Sequence, residues 1–258
     1  MVCMEVVEGK MGLDYLKGQL GSLDCGHFPV VSVIIPSFNE ECGLEDVLKR
    51  THRVFSEIGL SYEIIVVNDG STDGTSKVVL ENRAVLVENS RNMGKGFSMR
   101  RGLRYARGEF IVFMDADGEH RPEDIPLLLY PFVRDEKLSV VMGSRFYNGS
   151  GEVGSRLHLF GNKIFNLMIF LLTGRHVTDS QSGFRAFRRS VFEDISIDSS
   201  SFAVETEVLL KVLNNGFSFK EVPITYVRRV HGVRKLRSFR DGWKIFKAII
   251  KYSIVSRG

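Results

Sequence analysis

Cysteine is scarce: Cys3, Cys25 and Cys42 are the only three in 258 residues, too few and too scattered for a disulfide framework or a thiolate metal site, so a reducing compartment is expected. Long apolar runs are also missing. The longest, residues 167–172, has six residues, against the roughly 20 that a membrane-spanning helix needs. The amino terminus reads MVCMEVVEGKMGLDYL, where Glu5 and Glu8 interrupt what would be the apolar part of a signal peptide, so export is not expected. No GxxxxGK[ST] phosphate loop occurs, and no GxGxxG follows the first apolar run, which disfavours a dinucleotide oxidoreductase.

Charge is unevenly spread. Residues 228–258 hold ten Lys and Arg against one acid, Asp241, a net +9, while the remaining chain carries 25 bases and 30 acids, a net −5. A basic tail on an acidic body suits a polyanionic partner, either nucleic acid or a membrane surface.

With 43% hydrophobic residues the chain is long enough for one large core. Apolar, β-branched runs at 30–36, 63–67, 84–88, 110–114 and 139–144 are expected to be strands buried on both faces. Helical patterns at 40–58, 73–82, 94–107 and 122–134 lie between them. Repeated β-α units imply an α/β fold, a mostly parallel sheet with helices on both faces and ligands beyond the carboxyl ends of the strands. Residues 1–28 show no clear pattern and are expected to be an extension.

Four loops follow the first four strands: PSFNEE (36–41), NDGSTDGT (68–75), NSRNMGKG (89–96) and DADGEH (115–120). Taken singly, NDGSTDG is good turn chemistry in which Ser71 or Asp73 caps the next helix. Four acid- and glycine-rich loops on one sheet edge are more than capping requires. If the fourth strand persists past Met114, Asp115 and Asp117 point to the same side and Glu119 follows. Carboxylates that close raise one another's pKa unless a cation sits among them, and hard oxygen ligands suit Mg²⁺ or Mn²⁺. An EF-hand is excluded, since DADGEHRPEDIP lacks the glutamate at the twelfth place. Glu123 and Asp124 suit the first turn of the following helix. Gly94, Lys95 and Gly96 open a helix whose amino end is a candidate anion site.

Taken together, VSVIIPSFNEE, VVNDGSTDGT, NMGKG, MDADGEHRPEDI, GSRF and DSQSGFRAFRRS resemble a family 2 glycosyltransferase of the dolichyl-phosphate mannose and glucose synthase branch, over residues 30–252. The resemblance implies an A-type, Rossmann-like glycosyltransferase fold with a catalytic domain at 29–227. It implies a nucleotide-sugar site, for GDP-mannose or UDP-glucose, at Pro36, Phe38, Glu40, Asp69, Lys95, Asp115 and Asp117. A Mg²⁺ or Mn²⁺ cofactor is expected on Asp115 and Asp117 with Glu119 as third ligand. Arg145 and Arg185 are implied to face the phosphate of a dolichyl or polyprenyl phosphate acceptor, where a guanidinium fork donates bidentately, the alternative for Arg145 being a pair with a structural acid. Asp117, Arg145 and Arg185 form the implied catalytic set. Asp179 and Gln181 align with a stretch near the reaction centre. The histidines, His231 in the tail included, are expected to be bystanders, with contact to the metal shell left as the alternative for His120 beside the acids.

The lipid acceptor implies a membrane surface. Residues 155–174 are apolar around most of a helix, which fits burial or an interfacial position. In 243–251, Lys244, Lys247 and Lys251 share one face opposite Trp243, Ile245, Phe246, Ile249 and Ile250. The resemblance makes 228–258 a basic acceptor loop, with Arg229 and Lys235 on the acceptor phosphate, followed by an amphipathic membrane-surface helix. A peripheral enzyme on the cytoplasmic face is expected, with room for a separate membrane-anchoring subunit. Nucleic acid is not expected as a partner: no aromatic-basic RNA motif is present, and such a role would leave Asp115, Asp117 and Arg185 without a task.

Overall fold

A computed structural model of the chain describes residues 18–23, 29–147, 156–227 and 238–254; for 156–159, 238–241 and 254 it describes the backbone alone. The five apolar runs form β1 (Val31–Ser37), β2 (Tyr62–Asn68), β3 (Val85–Glu88), β4 (Phe110–Phe113) and β5 (Val140–Ser144). The helical patterns form α1 (Glu41–Ile58), α2 (Thr75–Glu81), α3 (Lys95–Leu103) and α4 (Ile125–Arg134), the last entered through a 3-10 turn at Pro122–Asp124. After β5 come α5 (Arg156–Thr173), β6 (Arg185–Arg188), the short α6 (Val191–Asp194), α7 (Val204–Asn214), β7 (Phe219–Pro223) and α8 (Ser238–Ile254).

The seven strands make one sheet in the order β3-β2-β1-β4-β6-β5-β7. Every pairing is parallel except those of β6, which runs antiparallel to β4 and β5. Its reversal brings Arg185 to the same edge as the carboxyl ends of its neighbours, level with Phe113 on one side and Met142 on the other.

Alternating side chains of β1 feed two cores, as the period of a strand requires. Val33 and Ile35 join Leu44 and Phe55 of α1 and Leu128 and Phe132 of α4 on one face. Ile34 joins Met99 of α3, Val208 and Leu209 of α7 and Ile249 of α8 on the other. Each such side chain, fully buried, contributes roughly 1.5–3 kcal/mol. Leu20 and Leu23, from the segment ahead of β1, are buried in the first core. The expectation that all five runs are buried on both faces fails for β3. It is an edge strand with Val85 42% exposed, because only β2 pairs with it.

The two apolar helices also divide their faces. In α5, Phe165, Met168 and Ile169 pack on the second core, while Phe160, Ile164, Leu167 and Leu171 are exposed at intervals of four, three and four residues. In α8, Ile245, Ala248, Ile249 and Tyr252 are buried against the protein and Trp243 and Ile250 are exposed. The apolar face of the last helix is therefore used mainly to close the core, and α7 and α5 are its neighbours. Among the described residues no helix is long and apolar enough to cross a membrane.

Candidate active site

The loops beyond β1, β2 and β3 are laced together by their own polar groups. Asn39, in the left-handed region at φ 50, ties the first two loops together: its N–H donates to Ser71 Oγ at 2.9 Å and its Oδ1 accepts from Thr72 N–H at 2.8 Å. The Glu40 N–H donates to Thr75 Oγ1 at 3.1 Å. The buried Asp69 carboxylate accepts the N–H groups of Met93 and Gly94 at 2.8 and 2.7 Å and the Asn89 amide at 2.6 Å. Asp69 thus fixes the NMGKG turn. Asp73 Oδ1 accepts the Thr75 N–H at 3.1 Å, the local turn bond that its position suggested. Pro36 lies in β1 level with Val67, and Phe38 is half-buried just beyond it.

Glycine is required in NMGKG by close approach. Gly94 has φ +95, and a Cβ there would lie 2.1 Å from the Ser200 carbonyl oxygen. The Gly96 N–H donates to that same carbonyl at 3.2 Å. The amino end of α3, a candidate anion site by sequence, is therefore covered by the 199–200 segment. Its Lys95 points instead into the acid loop: the ammonium contacts Asp115 Oδ1 and lies 2.6 Å from Glu205 Oε1. Burial works to lower the Lys95 pKa, but the two carboxylates outweigh it and raise it above the usual lysine range.

The acid loop is not a continuation of the strand. β4 ends at Phe113, the chain turns at Ala116–Asp117, and Gly118 takes φ +73. Asp117 Oδ1 accepts the Glu119 N–H at 3.1 Å, so strand alternation does not set the directions of Asp115, Asp117 and Glu119. Burial pushes the Asp115 carboxyl up, yet Lys95 above all, with His120 and Arg145, holds it below its ordinary value. His120 is buried and stacked on Phe184 with ring centroids 5.2 Å apart, its Nδ1 3.7 Å from Asp115 Oδ2. Burial lowers its pKa to about 4, against the opposing pull of Asp115, so the ring is neutral at pH 7. Among the described residues no three His, Cys, Asp or Glu side chains converge as a ready-made metal cage.

Arg145, just beyond β5, grips the fully buried Asp179 through Nε and Nη2 at 2.6 and 2.8 Å, and its backbone N–H donates to the same carboxylate at 3.2 Å. Asn162 of α5 adds an N–H at 3.3 Å. The guanidinium also lies over Tyr226, 5.8 Å from the ring centroid. Burial opposes its charge, but Asp179 raises its pKa overall. Arg185 departs from the expectation that it faces an acceptor phosphate. It is 3% exposed, and its two terminal nitrogens donate to the carbonyls of Glu205 and Ser180, both at 2.8 Å. Its fork braces the wall of the site from behind. Gln181 donates to Ser180 Oγ and Thr206 Oγ1, both at 3.0 Å. Arg229 and Lys235 lie outside the described residues.

Sequence reading missed Glu205, Asn162 and Tyr226. The one available signal was in AVETEVLLK, where two acids interrupt an apolar run; both Glu205 and Glu207 are buried on α7. Tyr226 pairs with His120 across an isolated antiparallel bridge, and the Val227 N–H donates to the Glu119 carbonyl at 3.0 Å. The segment leaving β7 is thereby stitched to the acid loop.

Five buried side-chain polar atoms lack a hydrogen-bond partner among the described residues: Ser37 Oγ, His120 Nδ1, Arg185 Nε, Glu205 Oε2 and Ser253 Oγ. The first four belong to this edge of the sheet or its wall. Buried polar groups are normally satisfied, so these four stand out.

The architecture is the A-type glycosyltransferase fold. A glucosyl-3-phosphoglycerate synthase from Mycobacterium tuberculosis, solved with Mn²⁺, uridine diphosphate and phosphoglyceric acid, superposes with a TM-score of 0.75 at 21% identity, over 96% of this chain and 84% of that one. Residues 32–196 match the model of glycosyl transferase family 2, and the chain belongs to that family. Its relatives agree with the polyprenyl-phosphate branch. It is 34% identical over 235 residues to the polyprenol monophosphomannose synthase of Mycolicibacterium smegmatis, covering 85% of this chain and 84% of that one. It is 32% identical over 228 residues to the low-salt glycan biosynthesis hexosyltransferase Agl6 of Haloferax volcanii, covering 86% of this chain and 54% of that protein, so it spans about half of that relative.

Proposed function

We propose that the chain transfers a hexose, mannose from GDP-mannose or glucose from UDP-glucose, to a dolichyl or polyprenyl phosphate, with inversion at the anomeric carbon. The observation that carries this reading is the edge just described, where the acid loop that follows β4 and the Asp179-held Arg145 that follows β5 flank the reversed strand β6. The similarity to a polyprenol monophosphomannose synthase supports the acceptor class.

The acceptor's chemistry makes a general base unnecessary. A phosphate monoester has a second pKa of about 6 and is largely dianionic above it. Its oxygen attacks the anomeric carbon, the bond from that carbon to the diphosphate oxygen breaks, and the electron pair leaves with the nucleoside diphosphate. No proton has to be removed, so orientation and neutralisation of charge do the work. His120, neutral and buried, is not needed as a base. Arg145, fixed by Asp179, is the cation we assign to the acceptor phosphate, with Arg185 holding the carbonyls of Ser180 and Glu205 in place behind it. Arg229 and Lys235 are assigned to the same phosphate from the sequence alone. The donor is assigned to the laced loops of Pro36, Phe38, Glu40 and Asp69 and to Lys95.

The donor set fits a hard divalent cation: carboxylate oxygens on Asp115, Asp117 and Glu119, with the orphaned His120 Nδ1 3.7 Å from Asp115. Asp115 and Asp117, with Glu119 as third ligand, would hold Mg²⁺ or Mn²⁺. When bound, that ion supplies Lewis-acid stabilisation of the departing diphosphate.

The exposed apolar stripe of α5 and the exposed Trp243 and Ile250 of α8 are assigned to the headgroup region of the cytoplasmic leaflet, as a peripheral contact. Exposed Lys163, Lys244, Lys247 and Lys251 lie on the same two helices and suit anionic lipid. The test of the whole reading is direct: incubation with Mg²⁺ or Mn²⁺, polyprenyl phosphate and each nucleotide sugar in turn, followed by mass spectrometry of the lipid fraction. A hexosyl-phosphate lipid is expected with one donor; transfer only to a free saccharide acceptor would replace the lipid reading with a saccharide one.

A further inference from the structure

We propose that Lys95 is an internal counter-ion that neutralises Asp115 until a divalent cation arrives, and that Glu205 is the residue that receives the Lys95 ammonium when that happens. The inference rests on the reading of Asp115 as a metal ligand. Two carboxylates share one ammonium here: Asp115, its side chain 28% exposed, and Glu205, 7% exposed, both contact Lys95 Nζ, whose side chain is 14% exposed. A carboxylate and an ammonium both largely removed from water need each other. If a divalent cation takes the Asp115 oxygens, Lys95 loses one partner and must keep its charge satisfied elsewhere.

Glu205 is built for that. Its Oε1 already binds Lys95, and its Oε2 is buried with no partner. An ammonium has three donors and rotates freely, so a small shift toward Glu205 satisfies the orphan oxygen. Gly183 lets the pair sit close against the backbone, since a Cβ there would lie 2.9 Å from Lys95 Nζ and 3.0 Å from Asp115 Oδ2. The Glu205 backbone is held by the Arg185 guanidinium, which donates to its carbonyl at 2.8 Å. Lys95 is thus a competitor of the metal, and Glu205 is a positioning residue that acts through Lys95.

The two residues are distinguished by opposite signs in metal binding, read without any turnover. Mn²⁺ is titrated into the full chain, alone and with saturating UDP or GDP, and free Mn²⁺ is followed by its electron paramagnetic resonance signal. Lys95→Gln removes the competing charge and is expected to tighten Mn²⁺ binding roughly tenfold, whereas Glu205→Gln leaves Lys95 on Asp115 alone and weakens it by a similar factor. In the Lys95→Gln background, Glu205→Gln has a much smaller effect than in the parent. Lys95→Met gives the same sign if the Gln variant does not fold. Parent binding with all variants unchanged, or with both single variants weakened alike, overturns the counter-ion assignment and leaves the metal reading standing. A parent that binds no Mn²⁺ under either condition overturns both.

Discussion

Replacing Asp179 by Asn tests whether the buried pair with Arg145 organises the site. Asp179 is fully buried and Arg145's side chain is 16% exposed, so the guanidinium left behind has little access to water. Removing one partner of a buried ion pair outright costs about 3–5 kcal/mol. Asn keeps the shape and an acceptor oxygen, which reduces the expected loss to about 2–3 kcal/mol. For a chain of this size the midpoint of thermal unfolding falls by about 2–4 °C per kcal/mol, or roughly 4–12 °C. Calorimetry and urea titration measure the loss, and the double variant with Arg145→Met isolates the pair. Because Arg145 no longer strands a charge in the double variant, its destabilisation should fall about 2 kcal/mol short of the sum of the singles. An Asn variant within 0.5 kcal/mol of the parent, or strictly additive losses, would refute the claim that Asp179 holds Arg145 by charge.

Asp117→Ala is expected to abolish metal-dependent transfer while leaving the melting curve in place; full activity would remove Asp117 from the metal site. Gly94→Ala meets both a left-handed φ and the Ser200 carbonyl, and should cost at least about 2 kcal/mol in urea unfolding; a neutral result would contradict the close approach. Asp124 accepts the Thr225 N–H at 2.6 Å, and burial raises its pKa from 3.8 to about 6. The native state therefore binds this proton more tightly than the unfolded chain, and the stability it contributes is present at acid pH and lost as pH rises toward and through 6, by roughly 3 kcal/mol in all. Asp124→Asn should remove that loss, gaining on the parent between pH 4 and 7; parallel pH profiles would sink the assignment. Leu171→Ser, at a side chain 72% exposed, should weaken binding to anionic vesicles several-fold without altering stability, and unchanged vesicle binding would remove α5 from the membrane contact.

Much of the first half of the fold was legible because its signals are local. β1, β2, β4 and β5 are dense in Val, Ile and Phe, and α1 carries its apolar face at a helical period across 18 residues. β6 was read only as a motif: RAFR is four residues, and its place between β4 and β5 depends on partners about 45 to 80 positions away in the chain. β7 is as hard to see, since FKEVP buries only Val222 fully. The motif loops gave the edge of the sheet and the acids on it, but not what each charge touches. Arg145 and Arg185 are alike as sequence and differ as structure, one paired with a carboxylate and the other spent on two carbonyls. Glu205 was hidden because an acid within an apolar helix reads as surface until its buried partner is known.

The reversed strand β6 has a mechanical meaning as well. Within the sheet its four residues are the seam joining β3-β2-β1-β4 to β5-β7, and beyond the strands the His120–Tyr226 bridge and the Val227 N–H on the Glu119 carbonyl tie the same two halves. Arg185 opens that seam. Part of the cooperativity between the two halves therefore passes through the same residue that braces the wall of the site, and amide exchange in β5 and β7 should accelerate when β6 is weakened. A substitution at Arg185 that abolishes turnover speaks of chemistry only when those amides stay protected.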